Sequence, residues 1–427
     1  MASLEPGKLV RLTVEKPAAG GRMLARHEGG LVLVSGTIPG EVVEARIEKV
    51  QRGTVWAATE RVVEASPDRT APAEAAACGG NVYAHIAYDR QVALKQAIIA
   101  DAFTRIGRLP LEAPPAVRPS PIDGYRMRAR LHVRRGRMGF FREGTHDLCA
   151  AGPTRQLLPS TLEVLDRLES VLRELPRAGV TEVELSENRE GSERALHLEY
   201  RTDGDASRLP AATTLIGLTG VSAAPYGAKR ARELWGSAVV GDQLAVPGVP
   251  GRHVRLERHA RAFFQANRHL LDTLVATVAG HVPDGPVLDL YAGVGLFALT
   301  LGAGGRPVIA VEADPVAAAD LRRNAVALDG AVVARHLPVE AFDAARTPVP
   351  AGATVLVDPP RTGLSREAME AALGMGAARI VYVSCDVATL GRDARRLVDA
   401  GYRLVSVEGL DLFPNTAHVE TVAVFDR

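Results

Sequence analysis

Three short stretches of this chain carry residues that could do chemistry together. Cys385 in IVYVSCDVATL follows a run of strand-forming residues, Asp358 opens Asp358-Pro359-Pro360-Arg361 after another, and Gly293 and Gly295 form a tight turn between PVLDLY and AGVGLFALTL. Ligands of open α/β sheets sit at the C-terminal ends of strands, which is where all three lie. By itself Cys385 can be a small buried hydrophobe, a metal ligand or a nucleophile. Zinc is excluded because there is no Cys-x-x-Cys and no nearby His pair. A helix N-terminus after the strand would lower the thiol pKa.

The glycine turn opens a helix, so its backbone can approach a ligand closely and favours polar or negative groups. Glu312, seventeen residues after Gly295, ends the next strand and can accept from both ribose hydroxyls of an adenosine. GVGLFA also satisfies the dinucleotide fingerprint, so NAD-type and S-adenosylmethionine-type ligands both remain open. The two prolines stiffen the chain after Asp358; they either wall a flat pocket or form a solvated turn with a capping acid.

The elements that must position these residues are legible as patterns. LVRLTVEK, GLVLVSG, EVVEARIEKV and TVWAATERVVEA alternate apolar and polar residues over Lys8 to Glu64, with turns at Ala19-Gly20-Gly21 and Ile38-Pro39-Gly40. This predicts a small β-barrel, with a linker marked by Pro67 and Pro72. A mixed region follows, with a helix over Thr161 to Leu175 behind a polar cap and a hairpin around Gly136. AVVGDQLAVP and HVRLERH read as further strands. From about Arg261, PVLDLY, PVIAVEA, AVVARHL, TVLVDPP and IVYVSC alternate with helix-like segments, which predicts a parallel sheet covered on both faces. RLVSVEGL and HVETVAVF close it, at least one of them antiparallel.

The bulk numbers set limits. The chain has 427 residues, too many for one ordinary core. A net charge of +1 makes any nucleic-acid contact a local patch. Three cysteines give no disulfide framework and suggest a reducing compartment, so a cytoplasmic location is expected. No apolar leader and no run of about 18 apolar residues is present, so no membrane partner is expected.

FFQAN (Phe263 to Asn267), DLYAGVGLFAL, VEAD, LVDPPRTGL, VSCDVATLGRD and DLFPNTAHVETV occur in this order. Together they resemble the S-adenosylmethionine-dependent RNA uridine-C5 methyltransferases. The barrel ending in ASPDR is similar to the TRAM RNA-binding domain of that family's ribosomal-RNA members, and YRMRARLHV and MGFFREGTHDL resemble its central domain. The resemblance implies a TRAM β-barrel (OB-like) at 1–66 and a mixed α+β RNA-binding domain at 67–255, whose segment at about 90–116 is expected to pack on the catalytic domain. A Rossmann-like class I methyltransferase domain would follow at 256–427.

It also implies roles. Carbon 5 of uracil is a poor nucleophile, and adding a thiolate to carbon 6 activates it; a base must then remove the carbon-5 proton. By resemblance Cys385 is the nucleophile and Glu420 the base. Gln265 and Asp358 match positions that help bind donor or substrate, with Gln265 and Asn267 suited to a uracil edge. Tyr291 and Glu312 match adenosine-binding positions beside Gly293 and Gly295. An RNA uridine must be flipped out to reach the thiol. Arg126, Arg128 and Arg130, in a run continuing through Arg134, Arg135, Arg137 and Arg142 without an intervening acid, share a strand face suited to phosphates. A solvated strand face is the plainer reading of that run. Phe140 and Phe141 are candidates for base stacking, with core packing expected for at least one.

The likeness breaks in places. Many family members hold an iron–sulfur cluster in the segment after the barrel, but TAPAEAAACGGNVYAHI has Cys78 alone, with Cys149 as the one other candidate, so no cluster and no metal are expected. Asp386 and Val387 replace Asn-Pro beside the cysteine, and the charge of Asp386 is expected to raise the thiol pKa. Pro338 and Asn415 depart from a polar residue and a His. A monomer methylating ribosomal RNA is the expectation, with transfer RNA as the nearest rival substrate. An NAD-dependent oxidoreductase or a non-catalytic RNA-binding protein would leave Cys385 and Glu420 without a joint role.

Overall fold

The computed structural model describes residues 5–18, 20–51, 53–71, 78–215, 217–342 and 352–427. Strands Leu9–Pro17, Met23–His27, Gly30–Ser35, Val42–Gln51 and Thr54–Glu64 close into a barrel. Val10, Leu12 and Val14 alternate inward as the two-residue period requires. The sequence pattern gives four of these five strands. Met23–His27 escaped it because MLARH is short and its inner residues are consecutive, not alternating. Ala19 and Pro72, used above as turn and linker signals, lie outside the described residues.

A seven-stranded sheet follows, in the order Arg232–Gly236, Gly220–Pro225, Arg194–Tyr200, Val180–Glu187, Arg128–Arg134, Arg137–Phe141, Leu148–Cys149. Helix Pro159–Glu174 packs Leu165, Leu168 and Leu172 onto one face, against Leu131, Leu185 and Leu198. The expected polar cap is not there: Leu158 precedes the helix without a side-chain bond, and Pro159 starts it, its missing N–H costing nothing at that position. Three cysteines form no framework of disulfides, but they do form one bond. Cys78 and Cys149 are bonded to each other, tying the segment after the barrel to the last strand of this sheet. The segment where cluster ligands would stand includes residues 72–77, outside the described ones.

The third sheet has eight strands: Val332–His336, Val308–Glu312, Val287–Leu290, Thr354–Val357, Arg379–Ser384, Glu420–Asp426, Arg403–Leu410 and Val117–Arg118. The first five are parallel, and Glu420–Asp426 runs antiparallel to both its neighbours. Chain order reverses between Val287–Leu290 and Thr354–Val357, which makes a crevice at their C-terminal ends. Strand Val117–Arg118 extends the far edge, and helix Tyr88–Ala102 shares a core with Val387, Leu390 and Ala394 through Leu94, Ile98 and Ile99. Hairpin Val239–Ala245 and His253–His259 packs Leu244 and Leu256 into the core of this sheet's other face, across residue 255. Among the described residues no helix is long and apolar enough to cross a membrane.

Candidate active site

The crevice gathers the sequence-selected residues from five strand ends. Leu290 leads directly into Tyr291, whose φ of 63° is a strained backbone for a bulky residue, and then into Gly293 and Gly295 at φ 57° and 102°. A side chain at Gly295 would strike Leu321 and Leu299, whereas a Cβ at Gly293 would meet no protein atom within 4 Å. The backbone is therefore packed on one side of the turn and open on the other. Glu312 fixes the turn by accepting from the Gly293 amide at 2.7 Å, and its other oxygen accepts from the Asp314 amide at 2.6 Å. Burial and nearby carboxylates raise the Tyr291 hydroxyl pKa.

Asp358 follows strand Thr354–Val357, and Gln265 donates to it at 3.4 Å. Cys385 follows strand Arg379–Ser384, and Glu420 begins strand Glu420–Asp426. Ser384 pairs with Thr421 as the last step of the antiparallel ladder, and Cys385 and Glu420 are the residues that adjoin that pair, near enough for the Glu420 charge to act on the thiol. The electrostatics are unusual. Glu420 is buried, and burial followed by the charge of Asp358 holds its pKa well above the usual range. Asp358 is pushed up to about 7 by burial and then by Glu312. The Cys385 thiol is pushed up to about 12 by burial, then by Glu420 and Asp358, with Arg361 acting in the opposite direction. Asp289, inside the central strand, is fully buried with no charged partner, and burial ahead of Asp358 keeps its pKa far above the ordinary value, with the Ala298 amide acting in the opposite direction. Uncompensated acids cluster in this way at functional sites, because a fold gains no stability from them.

Asp386 has a structural task beside the thiol. Its carboxylate accepts from the Ala388 and Thr389 amides and caps helix Val387–Asp399, while burial and then Glu420 and Asp358 are the main causes that raise the thiol. Asn267 is spent on structure. Its amide donates to the Ser120 hydroxyl and the Leu412 carbonyl, and its oxygen accepts from His269 and Leu270, leaving no edge for a base. Asn415 takes a left-handed φ of 61°, which Asn tolerates well, and is clasped by Gln91. Pro338 caps a short turn after strand Val332–His336.

Several residues here went unread in the sequence. Arg361 is the cation that opposes the acids around Cys385, and its position right after the prolines was the available signal. Asp393 accepts from the Leu364 amide and the Tyr382 hydroxyl, pinning the Pro-Pro-Arg loop to the helix behind Cys385. Lys95 is fully buried and bonded to Asp411 and to the Phe413 carbonyl, and Tyr88 donates to the same carboxylate. This network anchors the loop leading to Glu420. The clue was a lysine on the same helix face as Leu94, Ile98 and Ile99 in Tyr88–Ala102.

The predicted arginine face is real but not free. Arg128, Arg130 and His132 share one face of their strand, where Glu184 and Glu182 of the neighbouring strand pair with them. Arg126 precedes the strand and lies over Tyr125 and Phe140. Phe140 is buried, while Phe141 stacks on His132 at 3.6 Å.

Residues 350–427 match the family described as tRNA (Uracil-5-)-methyltransferase, and residues 4–57 match the TRAM domain. The chain is similar to 23S rRNA (uracil(1939)-C(5))-methyltransferase RlmD of Pseudomonas putida, at 34% identity with 98% of this chain and 94% of that protein covered. The protein of the same name from Pseudomonas aeruginosa is 35% identical over the same shares. Among solved structures, the tRNA (uracil-54, C5)-methyltransferase of Pyrococcus abyssi in complex with S-adenosyl-L-homocysteine shares the fold, with a TM-score of 0.77 at 24% identity. That match covers 97% of this chain and 99% of that one.

Proposed function

Because the chain belongs to the S-adenosylmethionine-dependent RNA uracil-C5 methyltransferases, we propose that it methylates one uridine of 23S ribosomal RNA by covalent catalysis at Cys385. The single observation that carries the mechanism is the closeness of Cys385 to the buried Glu420, the two residues adjoining the last pair of the antiparallel ladder, Ser384 and Thr421. The ribosomal substrate is supported by the names of the full-length relatives and by the N-terminal TRAM match.

The glycine turn suits the donor. Gly293 is open above its backbone, Glu312 has lone pairs left for ribose hydroxyls, and the buried Asp289 carboxyl has no cation beside it. Tyr291, Gly295 and Gln265 complete the cradle. S-adenosylmethionine supplies an electrophilic methyl group when bound there.

Cys385, half-buried, gives its proton to solvent and adds as the thiolate to carbon 6 of a flipped uridine, which makes an enolate and leaves carbon 5 nucleophilic. Arg361 is the nearby charge that favours the thiolate. After methyl transfer, Glu420 takes the carbon-5 proton, and the electron pair returns to form the 5,6 double bond as the sulfur leaves. A carboxylate with a raised pKa is a stronger base, which matches the burial of Glu420. Asp358 and Gln265, bonded to each other, orient the ring or the donor. Arg126, Arg128 and Arg130 would meet phosphates along the approach, although Glu182 and Glu184 already balance much of the charge of Arg128 and Arg130.

The test is Glu420→Gln with 23S transcript and S-adenosylmethionine. A covalent protein–RNA adduct that survives denaturing electrophoresis is expected to accumulate. Normal turnover in that variant would sink the assignment of the base.

A further inference from the structure

The paired state of Arg128 and Arg130 leaves open which groups hold RNA outside the crevice. Of the large apolar side chains exposed on the described surface, two are aromatic: Tyr226 at 66% and Phe263 at 64%. They lie in one neighbourhood. Phe263 stands two residues before Gln265 at the crevice, with Arg128 over its ring at 5.5 Å. Two residues further back, both terminal nitrogens of Arg261 donate to the Lys229 carbonyl at 3.4 Å. His259 also meets Glu233, at 3.2 Å. The turn between strands Gly220–Pro225 and Arg232–Gly236 is thus clamped to the segment that enters the active site.

That turn is PYGAKR, and its tip has the composition of a single-strand binder. Tyr226, Lys229 and Arg230 are exposed, and no ion pair engages Lys229, Arg230 or Arg261 among the described residues. This is the reverse of the adjoining sheet face, where Glu182 and Glu184 neutralise Arg130 and Arg128. A water-exposed ring beside Lys229 and Arg230, two exposed cations in no ion pair among the described residues, gains nothing for the fold. It matches the combination of ring and backbone charge that single-stranded nucleic acid requires.

We propose that this turn is a second RNA contact, in which Tyr226 stacks on an unpaired base next to the target uridine while Lys229 and Arg230 meet the adjoining phosphates. The proposal rests on the RNA methyltransferase reading and adds where the flanking strand lies. It also accounts for the Arg261 clamp, which would keep the contact at a fixed offset from the flipped base.

Full-length wild type, Tyr226→Ala, Tyr226→Phe and Lys229→Ser/Arg230→Ser are titrated with a single-stranded 20-nucleotide oligouridylate and with a blunt RNA duplex of the same length. S-adenosylhomocysteine binding serves as the fold control. Tyr226→Ala is expected to weaken single-strand binding about tenfold, with Tyr226→Phe within about twofold of wild type, because the ring face and not the hydroxyl does the stacking. The double variant is expected to make the log–log salt slope shallower by about 1.4, two phosphates' worth of counterion release. Single-strand affinity within twofold of wild type for Tyr226→Ala, or an equal loss on the duplex, would overturn the stacking contact. Wild-type methylation of a 23S transcript is measured alongside. Its failure would strike the substrate reading and leave the oligouridylate comparison standing.

Discussion

Two regions of this molecule bury ionisable groups, and they do so in opposite ways. Where the central sheet meets the hairpin Val239–Ala245 and His253–His259, every buried charge has a partner. Arg258 is bonded to Asp242 and to the Glu187 carbonyl, and Arg268 and Arg194 both reach Glu187. In the crevice of the methyltransferase sheet, Asp289 and Glu420 are buried and Asp358 half-buried, mainly among each other, with Arg361 as the opposing charge. A buried pair holds elements in register, while a buried acid without a partner costs stability and can persist only when something else requires it. The contrast separates scaffold from site more sharply than burial alone.

The largest effect expected from breaking the contrast is chemical. Cys385→Ala lowers methyl transfer to a 23S transcript at least about 10⁴-fold, because the nucleophile has no substitute in the crevice. Tritium incorporation at position 5 measures it, and a rate within tenfold of wild type would end the covalent scheme. Next comes the scaffold. Arg258→Ala strands Asp242 and should cost about 3–5 kcal/mol in urea denaturation, whereas replacing both partners by Met and Leu should recover most of it.

Asp358→Asn should show the opposite sign. The Asp358 pKa is raised to about 7 in the folded chain, so its contribution to stability is whole below about pH 4 and is lost as pH rises through 7. The Asn variant is therefore expected to melt about 3 °C above wild type at pH 8 and level with it at pH 4, while kcat/KM falls about tenfold. Higher activity together with higher stability would refute the idea that this acid is kept for function. The smallest effect belongs to the arginine face. Glu184→Gln leaves Arg128 and Arg130 less compensated and should tighten single-stranded RNA binding about threefold at low salt, by filter binding.

Local pattern made much of this legible. Four of five barrel strands, the parallel strands of the last sheet and the glycine turn follow from two-residue alternation and turn chemistry, because both act over a few neighbouring residues. Met23–His27 was missed since a short barrel strand need not alternate cleanly. Asn267 looked like a base-recognising amide because its donors and acceptors are visible in sequence, while the Ser120 hydroxyl and Leu412 carbonyl that consume them are remote. The arginine run had no acid within it, yet Glu182 and Glu184 meet it from another strand some fifty residues on.

The sequence by itself determined the family, the chemistry at stake and the cysteine proposed to carry it, since those are written in contiguous motifs at strand ends. The tertiary structure alone decided which charges are compensated. It brought Glu420 beside Cys385 through an antiparallel ladder, buried Lys95 against Asp411, and paired Cys78 with Cys149. The physical reason is range. Backbone propensity is local, but the free energy of a charge depends on everything that surrounds it, and that is fixed only when distant strands meet.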